Sequence, residues 1–241
     1  NIRADLLGFT YTEVDQIYDP SGTSSQVAAA LNNGRSVGNY TGHGSITAWS
    51  STGFSNTDVN ALTNDSMLPF IISVACVNGY FDGYTCFGEA WLRATNGGEP
   101  TGAIGFYASS VNQDWAPPMA AQDESADLLV AGEKRTFGGL CYNGSCLMMD
   151  EYGTDGRDMF LTWHIFGDPS LRVRTDTPAS LSVAPEANIA PDATSFDVTV
   201  TGIEGALCSL YYGGVNYGSA LTNASGVATI PVVGSLPTGA D

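Results

Sequence analysis

The chain has 241 residues, of which 43% are hydrophobic and 14% are charged, a composition typical of one or two globular domains with a sizeable core. Eight basic residues against 25 acidic ones give a net charge of −17. Such a surface repels phosphate backbones, so nucleic-acid binding is not expected. The charge suits cationic peptides and hard metal ions such as calcium, or else serves solubility in a salty environment.

The sequence shows neither a membrane-spanning helix nor a signal peptide. No apolar run reaches the roughly 18 residues that a membrane-spanning helix needs. The first residue is Asn1, no signal peptide is visible, and residues 2–8 resemble the end of a helix that closes on Gly8. We therefore expect a fragment or a processed product whose leader was lost with the preceding part.

The chain contains five cysteines: Cys76, Cys86, Cys141, Cys146 and Cys208. An odd number leaves at least one thiol unpaired if the others form disulfides. Cys141 and Cys146 flank a predicted turn over Tyr142–Ser145, so they either form a local disulfide or stay free and buried. With no C-x-x-C motif and two histidines, a structural zinc site is not expected.

Strands and helices alternate through the first 174 residues. Apolar alternation predicts a strand over 9–17, and Thr23 or Ser24 caps a predicted helix that ends before Gly34. Short buried strands are predicted at 36–44, 68–76 and 101–110, and helices near 57–62, over 87–94 and over 119–131. This order predicts an α/β fold with a mostly parallel sheet covered by helices.

The pattern of the sequence changes after Arg174. Thr175–Pro178 is predicted to be a linker, which divides the chain into domains 1–174 and 175–241. Beyond it, short strands rich in Val, Thr and Ser are predicted at 180–183, 195–201, 206–212 and 226–232. They predict a small antiparallel β-sandwich, immunoglobulin-like in architecture, which need not be complete at Asp241.

Two of the buried strands deliver a reactive side chain at their ends, His43 on one and Cys76 on the other. Neighbouring strands of a sheet lie about 4.8 Å apart, so the two side chains would face each other at the carboxyl edge, where open α/β sheets bind ligands. A thiolate can attack a carbonyl once a nearby imidazole accepts its proton. The N–H groups of Gly44 and Cys76 are candidates for stabilising the resulting oxyanion.

Each candidate residue has a structural explanation as well. A cysteine at a strand end is more often structural than catalytic, although His43 between two glycines is poorly suited to packing a core. His164 lies in an apolar run and is predicted to be a core residue with satisfied hydrogen bonds. Asp123–Glu124 is either a solvated acidic pair or a pair of hard metal ligands. The G-x-S-x-G, H-E-x-x-H and Walker A motifs are absent from the sequence.

Several longer blocks closely resemble the gingipains, secreted cysteine endopeptidases of the caspase-like clan. The blocks are Asn39–Ser45, Ala48–Trp49, Leu68–Ile71, Val74–Gly79, Cys86–Phe87, Glu89–Ala90, Asn112–Gln113, Trp115, Pro118–Met119, Gln122–Glu124, Lys134–Gly139 and Phe166–Leu171. The likeness runs from about Tyr18 to Arg174 and more loosely through the tail. It implies a caspase-like catalytic domain, with its start missing, followed by an immunoglobulin-like sandwich.

The resemblance implies that Cys76 is the nucleophile, that His43 is the general base, and that the Gly44 and Cys76 amides form the oxyanion hole. It also implies an S1 pocket walled by Trp115 and Met119, with a polar contact from Gln113. These S1 residues favour the arginine-specific branch over the lysine-specific one. Asp114 departs from the small polar residue of the family, and either adds charge to S1 or is an exposed acid.

The resemblance further implies a Ca²⁺ site formed by the Phe81 carbonyl, Glu89, Asp123 and Glu124, and a location outside the cell or at its surface. The acid that pairs with the P1 guanidinium, and the carboxylate that orients the histidine, would lie upstream of Asn1. We therefore expect a companion chain that carries the missing part, besides protein or peptide substrates. A catalytically inactive homologue that serves adhesion or surface anchoring is the alternative.

Overall fold

The computed structural model describes residues 2–177 and 180–237. Contacts within the chain divide it into two compact units, Asn1–Asp176 and Thr177–Asp241. The division falls within the predicted linker, two residues beyond the predicted boundary. Pro178, the last residue of that linker, lies outside the described residues.

The first unit alternates helices and strands. Its helices are α1 (Ile2–Gly8), α2 (Ser24–Asn32), α3 (Asn56–Asn60), α4 (Phe87–Arg93), α5 (Ala116–Val130), α6 (Phe137–Tyr152) and α7 (Thr154–Phe160). Its strands are β1 (Val37–Thr41), β2 (Gly44–Ser45), β3 (Ala48–Trp49), β4 (Phe54–Ser55), β5 (Phe70–Val74), β6 (Thr95–Asn96), β7 (Glu99–Pro100), β8 (Gly105–Ser109) and β9 (Trp163–Gly167). Among the described residues, no helix combines the length and apolar character needed to cross a membrane.

The central sheet has the strand order β1-β5-β8-β9. Strands β1, β5 and β8 are parallel to one another, whereas β9 pairs antiparallel with β8. All five residues of β5 and of β8 are buried, which explains why their sequences are continuous rather than alternating apolar runs. The predicted α/β fold is confirmed, and the sheet, predicted to be mostly parallel, is partly parallel.

Side chains of β5 alternate between two hydrophobic clusters, one on each face of the sheet. Ile71 packs in a cluster with Phe87 and Trp91 of α4. Phe70 and Ile72 pack in a second cluster, which includes residues of α5 and α6. Helix α4 therefore lies on the face of the sheet opposite to α5 and α6.

The predicted turn at Tyr142–Ser145 is wrong, because helix α6 continues through it. Asn-Gly is a strong turn signal, but here Gly144 is the point where α6 passes close to α5. A Cβ at position 144 would lie 2.4 Å from the carbonyl oxygen of Ala121. Cys141 and Cys146 are both free, so the structure contains no local disulfide there.

The predicted strand over 9–17 is also wrong, because this stretch is irregular. Tyr11 and Val14 pack against the same cluster, although they are three positions apart. A pleated strand would place them on opposite faces. Arg35 forms ion pairs with Glu13 and Asp15, which attach the irregular segment to the loop between α2 and β1.

The second unit is all-β. Strands β10 (Val183–Pro185), β11 (Ser195–Val200) and β14 (Val227–Pro231) form one antiparallel sheet, and β12 (Leu207–Tyr212) and β13 (Val215–Leu221) form another. Residues from both sheets contribute to a core around Phe196, Val198 and Ile230. Strand β13 was not predicted from the sequence, and the immunoglobulin-like topology stays a prediction.

Candidate active site

His43 lies two residues beyond the end of β1, in a segment whose backbone is held on both sides. The Gly42 N–H donates to the Val74 carbonyl at 3.1 Å, so the alignment with β5 continues past the strand. The His43 carbonyl accepts hydrogen bonds from the Tyr40 hydroxyl at 2.7 Å and from the Ser50 N–H at 2.8 Å. The backbone is thus fixed, while the residue itself is exposed to solvent.

Cys76 follows β5, and the chain turns sharply directly after it. Val77 has a φ of 52°, in the left-handed region that a β-branched residue rarely adopts. Backbone strain of this kind costs on the order of 1–3 kcal/mol and clusters at functional sites. The Val77 N–H donates to the Val111 carbonyl at 3.0 Å, and the turn leaves Cys76 half-buried.

Gly44 brings the segment after His43 against the segment that carries the thiol. A Cβ at position 44 would lie 2.6 Å from the Cys76 carbonyl oxygen and 2.8 Å from the Ala75 Cβ. Any side chain here would separate the two segments, so the approach requires glycine. Among the described residues, the Cys76 N–H donates to no backbone carbonyl or side chain, as a candidate oxyanion donor should.

The loop before α5 lies beside both candidate catalytic residues. The Cys76 sulfur is 3.9 Å from the Gln113 carbonyl oxygen, and the Trp115 ring meets the His43 ring edge-on with centroids 5.3 Å apart. Trp115 is 45% exposed and Met119, one turn along α5, is 39% exposed, as walls of an open cleft would be. The structure therefore brings Gln113 and Trp115 together with His43 and Cys76. Asp114 is exposed in the same loop.

Comparison with known proteins identifies the family. The profile of peptidase family C25 matches residues 5–174. The chain belongs to peptidase family C25. Gingipain R2 of Porphyromonas gingivalis (strain ATCC BAA-308 / W83) is 45% identical over 227 residues, which cover 92% of this chain and 31% of that protein. Lys-gingipain of the same species is 27% identical over 227 residues, which cover 83% of this chain and 13% of that protein.

Solved structures of gingipain R and RgpB show the same fold. The crystal structure of the Arg-specific cysteine proteinase gingipain R has a TM-score of 0.89 and 43% identity, over 97% of this chain and 55% of that chain. A complex of the Porphyromonas gingivalis RgpB pro- and mature domains has a TM-score of 0.87. The predicted gingipain resemblance is confirmed. The chain spans about a third of gingipain R2 and about half of the solved relatives.

Two of the other cysteines, Cys86 and Cys141, are more deeply buried than Cys76. Cys86 is buried, and burial raises the pKa of its thiol to about 11. Burial likewise raises the pKa of the Cys141 thiol. Because the thiolate is the nucleophile, these two groups are poorly suited to attack at neutral pH. Cys76, by contrast, is half-buried at the carboxyl edge of the sheet, against Gly44, the residue after His43.

His164 is hydrogen-bonded as the sequence predicts, although it is half-buried and not part of the core. It lies on β9, and its Nε2–H donates to the Gly79 carbonyl at 2.9 Å. Its ring packs against Phe81 and Phe166, with centroids 5.1 and 4.9 Å away. Burial lowers the pKa of this imidazole, which favours its neutral form. The contact holds the loop after Cys76 against the sheet.

The four predicted calcium ligands do not come together. Glu89 is on α4 and its Oε2 accepts a hydrogen bond from the Cys86 N–H at 2.9 Å, which caps that helix. Asp123 and Glu124 are on α5, on the other face of the sheet, while Phe81 is exposed beside His164. Within the described ranges, no group of three or more His, Cys, Asp or Glu side chains is arranged to hold a metal ion. These four residues therefore do not fit one calcium site.

Asn78 lies shortly after the candidate nucleophile, in the block Val74–Gly79 that resembles the gingipains, and no role was predicted for it. Its side chain is completely buried, and its amide joins β5 to the hairpin β2–β3 that follows His43. A polar residue directly after a buried strand, two positions beyond the candidate nucleophile, was the available signal. Only the fold shows which segments this side chain connects.

Proposed function

We propose that the protein containing this chain is a cysteine endopeptidase that cleaves peptide bonds after a basic residue, with Arg favoured over Lys. The observation that carries the proposal is the juxtaposition at one sheet edge: Gly44, next to His43, lies directly against the Cys76 carbonyl. The preference for Arg is supported by 45% identity to gingipain R2 against 27% to Lys-gingipain.

The proposed reaction proceeds through an acyl-enzyme. His43 accepts the proton of the Cys76 thiol, and the thiolate sulfur attacks the carbonyl carbon of the scissile bond. The N–H groups of Cys76 and Gly44 stabilise the oxyanion, and His43 returns the proton to the leaving amine as the C–N bond breaks. Water, activated by His43, then attacks the thioester, releases the acid product and restores the thiol.

Substrate selection is proposed to depend on the loop before α5. Trp115 and Met119 offer apolar surface for the stem of a P1 Arg side chain, and Gln113 offers a polar contact. The Gln113 Oε1 is buried and has no hydrogen-bond partner among the described residues, so a donor from substrate could satisfy it. Asp114 is the acidic side chain of this loop and would add to the attraction for a cation.

The remaining parts of the proposal rest on the gingipain relatives. A companion polypeptide is supported by the solved complex of RgpB pro- and mature domains. Secretion or display at the cell surface, and calcium binding, rest on the family resemblance. The four predicted ligands lie on two faces of the sheet, and the proposed catalytic steps use the side chains and amides of the chain itself. An inactive adhesion homologue is less well supported, because the candidate nucleophile and base are both present at one edge.

Covalent labelling tests the function directly. A peptidyl chloromethyl ketone with P1 Arg should alkylate Cys76 in the native protein faster than the matched P1 Lys reagent, and mass spectrometry of the peptides would locate the adduct. Cys76→Ala is the control and should not be labelled. Absence of labelling at Cys76 by either reagent would refute the peptidase, whereas faster labelling by the Lys reagent would reverse only the specificity.

A further inference from the structure

Asn78 connects the two segments that carry the proposed nucleophile and base. We propose that it is a positioning residue that sets the separation of His43 from Cys76, an inference that rests on the proposed function. The residue is 0% exposed and lies two positions beyond Cys76. It touches neither substrate nor the reacting atoms in the proposed mechanism, so any effect on rate must act through other residues.

The Asn78 side chain makes hydrogen bonds in two directions. Its Nδ2 donates to the Ser45 carbonyl at 2.7 Å and to the Ala48 carbonyl at 3.1 Å, at the two ends of the β2–β3 turn. Its Oδ1 accepts from the Ser73 hydroxyl on β5 at 2.8 Å. One side chain thus ties the hairpin that starts beside His43 to the strand that leads to Cys76.

The chemistry of the partners allows one orientation of the amide. The two carbonyls can only accept, so the Asn78 NH₂ must face them. The Trp49 indole can only donate, and its Nε1–H donates to the Ser73 hydroxyl at 2.9 Å. The Ser73 proton is therefore free to bond the Asn78 Oδ1. Each side-chain donor and acceptor in this buried network has a partner, which makes the arrangement rigid.

The β2–β3 hairpin, to which Asn78 is hydrogen-bonded, also packs against the backbone of Cys76. The position of a Cβ on Gly44 is 3.0 Å from the Asn78 Nδ2 and 2.6 Å from the Cys76 carbonyl oxygen. Without the amide, the Ser45 and Ala48 carbonyls lose this donor, and the hairpin can move away from β5 with His43 at its start. A displacement of about 1 Å at reacting groups can lower a rate by roughly 100-fold.

A second buried asparagine provides a matched control. Asn64 is also 0% exposed, and its amide donates to the Gly102 carbonyl and accepts from the Gly102 N–H, both at 2.9 Å. It lies in the loop before β5, at the end of the strand opposite to Cys76. Asn64→Ala and Asn78→Ala therefore remove the same chemical group from equally buried sites, but only one of them faces the hairpin.

The test measures inactivation by the P1 Arg chloromethyl ketone in the native protein and in both variants. For Asn78→Ala we expect the inactivation rate constant kinact to fall 10- to 100-fold, with the binding constant KI within threefold of wild type. For Asn64→Ala we expect a comparable fall in Tm with kinact within threefold of wild type. An unchanged kinact in Asn78→Ala, or an equal fall in both variants, would overturn the positioning role while leaving the peptidase proposal intact.

Two further outcomes are decisive. If the wild type is not labelled at Cys76, the proposed function fails, and this inference fails with it. If Asn78→Ala does not fold, Gly44→Ala decides, because its methyl group separates the same segments while keeping every hydrogen-bonding group of Asn78. A kinact of wild-type size in folded Gly44→Ala would show that the separation does not matter, and would overturn the inference.

Discussion

The two units of the chain bury their large apolar side chains to very different extents. In the first unit, clusters pack on both faces of the central sheet, and Phe87, Trp91 and Phe106 are each 0% exposed. In the described part of the second unit, five apolar residues are buried, Phe196, Val198, Val200, Ala228 and Ile230, while Leu207 and Tyr211 are 69% and 66% exposed. The first unit therefore has a large core on both faces of its sheet, whereas the second unit has a small core.

This difference explains why the candidate chemistry is found in the first unit. Strand β5 is buried along its whole length, so the segment that follows it leaves the sheet in one fixed direction. Catalytic groups need positions that are fixed to within about half an ångström, which packed strands provide better than loops. Substitutions that affect one unit and not the other test this explanation. So do substitutions in the first unit that affect activity and not stability.

Cys76→Ala should have the largest effect, the loss of all turnover of P1 Arg peptides. The change removes one sulfur atom from a half-buried position, so the free energy of unfolding should change by less than about 1 kcal/mol. Peptide hydrolysis and a thermal melt of the same sample measure the two effects. Turnover within tenfold of wild type would contradict the role of Cys76 as nucleophile.

Phe87→Ala should instead damage the packing of the first unit. The Phe87 ring contacts the rings of Trp49, Trp91 and Phe106, with centroids 5.3 to 5.9 Å away. Replacing a fully buried Phe by Ala costs about 3–5 kcal/mol, because it leaves a cavity. Hydrogen exchange followed by mass spectrometry should show lost protection in the peptides of β5, β8 and α4. Equal loss in peptides of the second unit would show that the two units unfold together.

The parts of the fold that could be predicted from sequence are those where one physical signal dominates. The apolar run at 68–76 predicted β5, because burial on both faces demands such a run. The run at 36–44 predicted β1, although Tyr40 is the one buried residue of that strand. The placement of His43 and Cys76 at one sheet edge followed from that pairing. Gly44 was predicted as an oxyanion donor, whereas its contact with the Cys76 carbonyl is visible only in three dimensions.

The wrong predictions come from places where tertiary contacts overrule local signals. Asn143–Gly144 is a turn signal, but the close crossing of α5 and α6 needs a glycine in the middle of a helix. The role of Asn78 depends on partners 33 and 30 residues away, which no local pattern reveals. The predicted calcium ligands were grouped by resemblance, and no sequence signal shows that α4 and α5 cover opposite faces.

Ile230→Ala should weaken the second unit without affecting the proposed activity. Ile230 is 1% exposed and belongs to the small core with Phe196 and Val198. An Ile→Ala change in a core costs about 2–5 kcal/mol, and a thin core that can collapse places the cost near 2–3 kcal/mol. Limited proteolysis should cleave the second unit faster, while the kinact of Cys76 labelling stays within twofold. A large fall in kinact would contradict the separation of the two units.

Calcium removal should have a smaller effect. This prediction rests on the family resemblance alone, because the four residues predicted as ligands do not form one site among the described residues. At free calcium about ten times its Kd, a bound ion stabilises the folded state by about 1.4 kcal/mol. A melt in EDTA, compared with one in excess calcium, measures the shift in Tm. Identical curves would refute calcium binding, and restoration by magnesium alone would show that the site does not select calcium.

Leu207→Ser should have the smallest effect, and it completes the comparison with Ile230 inside the second unit. Leu207 lies opposite Leu221 on the outer face of β12 and β13, and both side chains are more than half exposed. Replacing an exposed apolar side chain removes little buried area, so the free energy of unfolding should change by no more than about 0.5 kcal/mol. Urea denaturation of the variant and of the wild-type protein would measure this change in the free energy of unfolding. A loss as large as that of Ile230→Ala would mean that Leu207 is covered in the native protein.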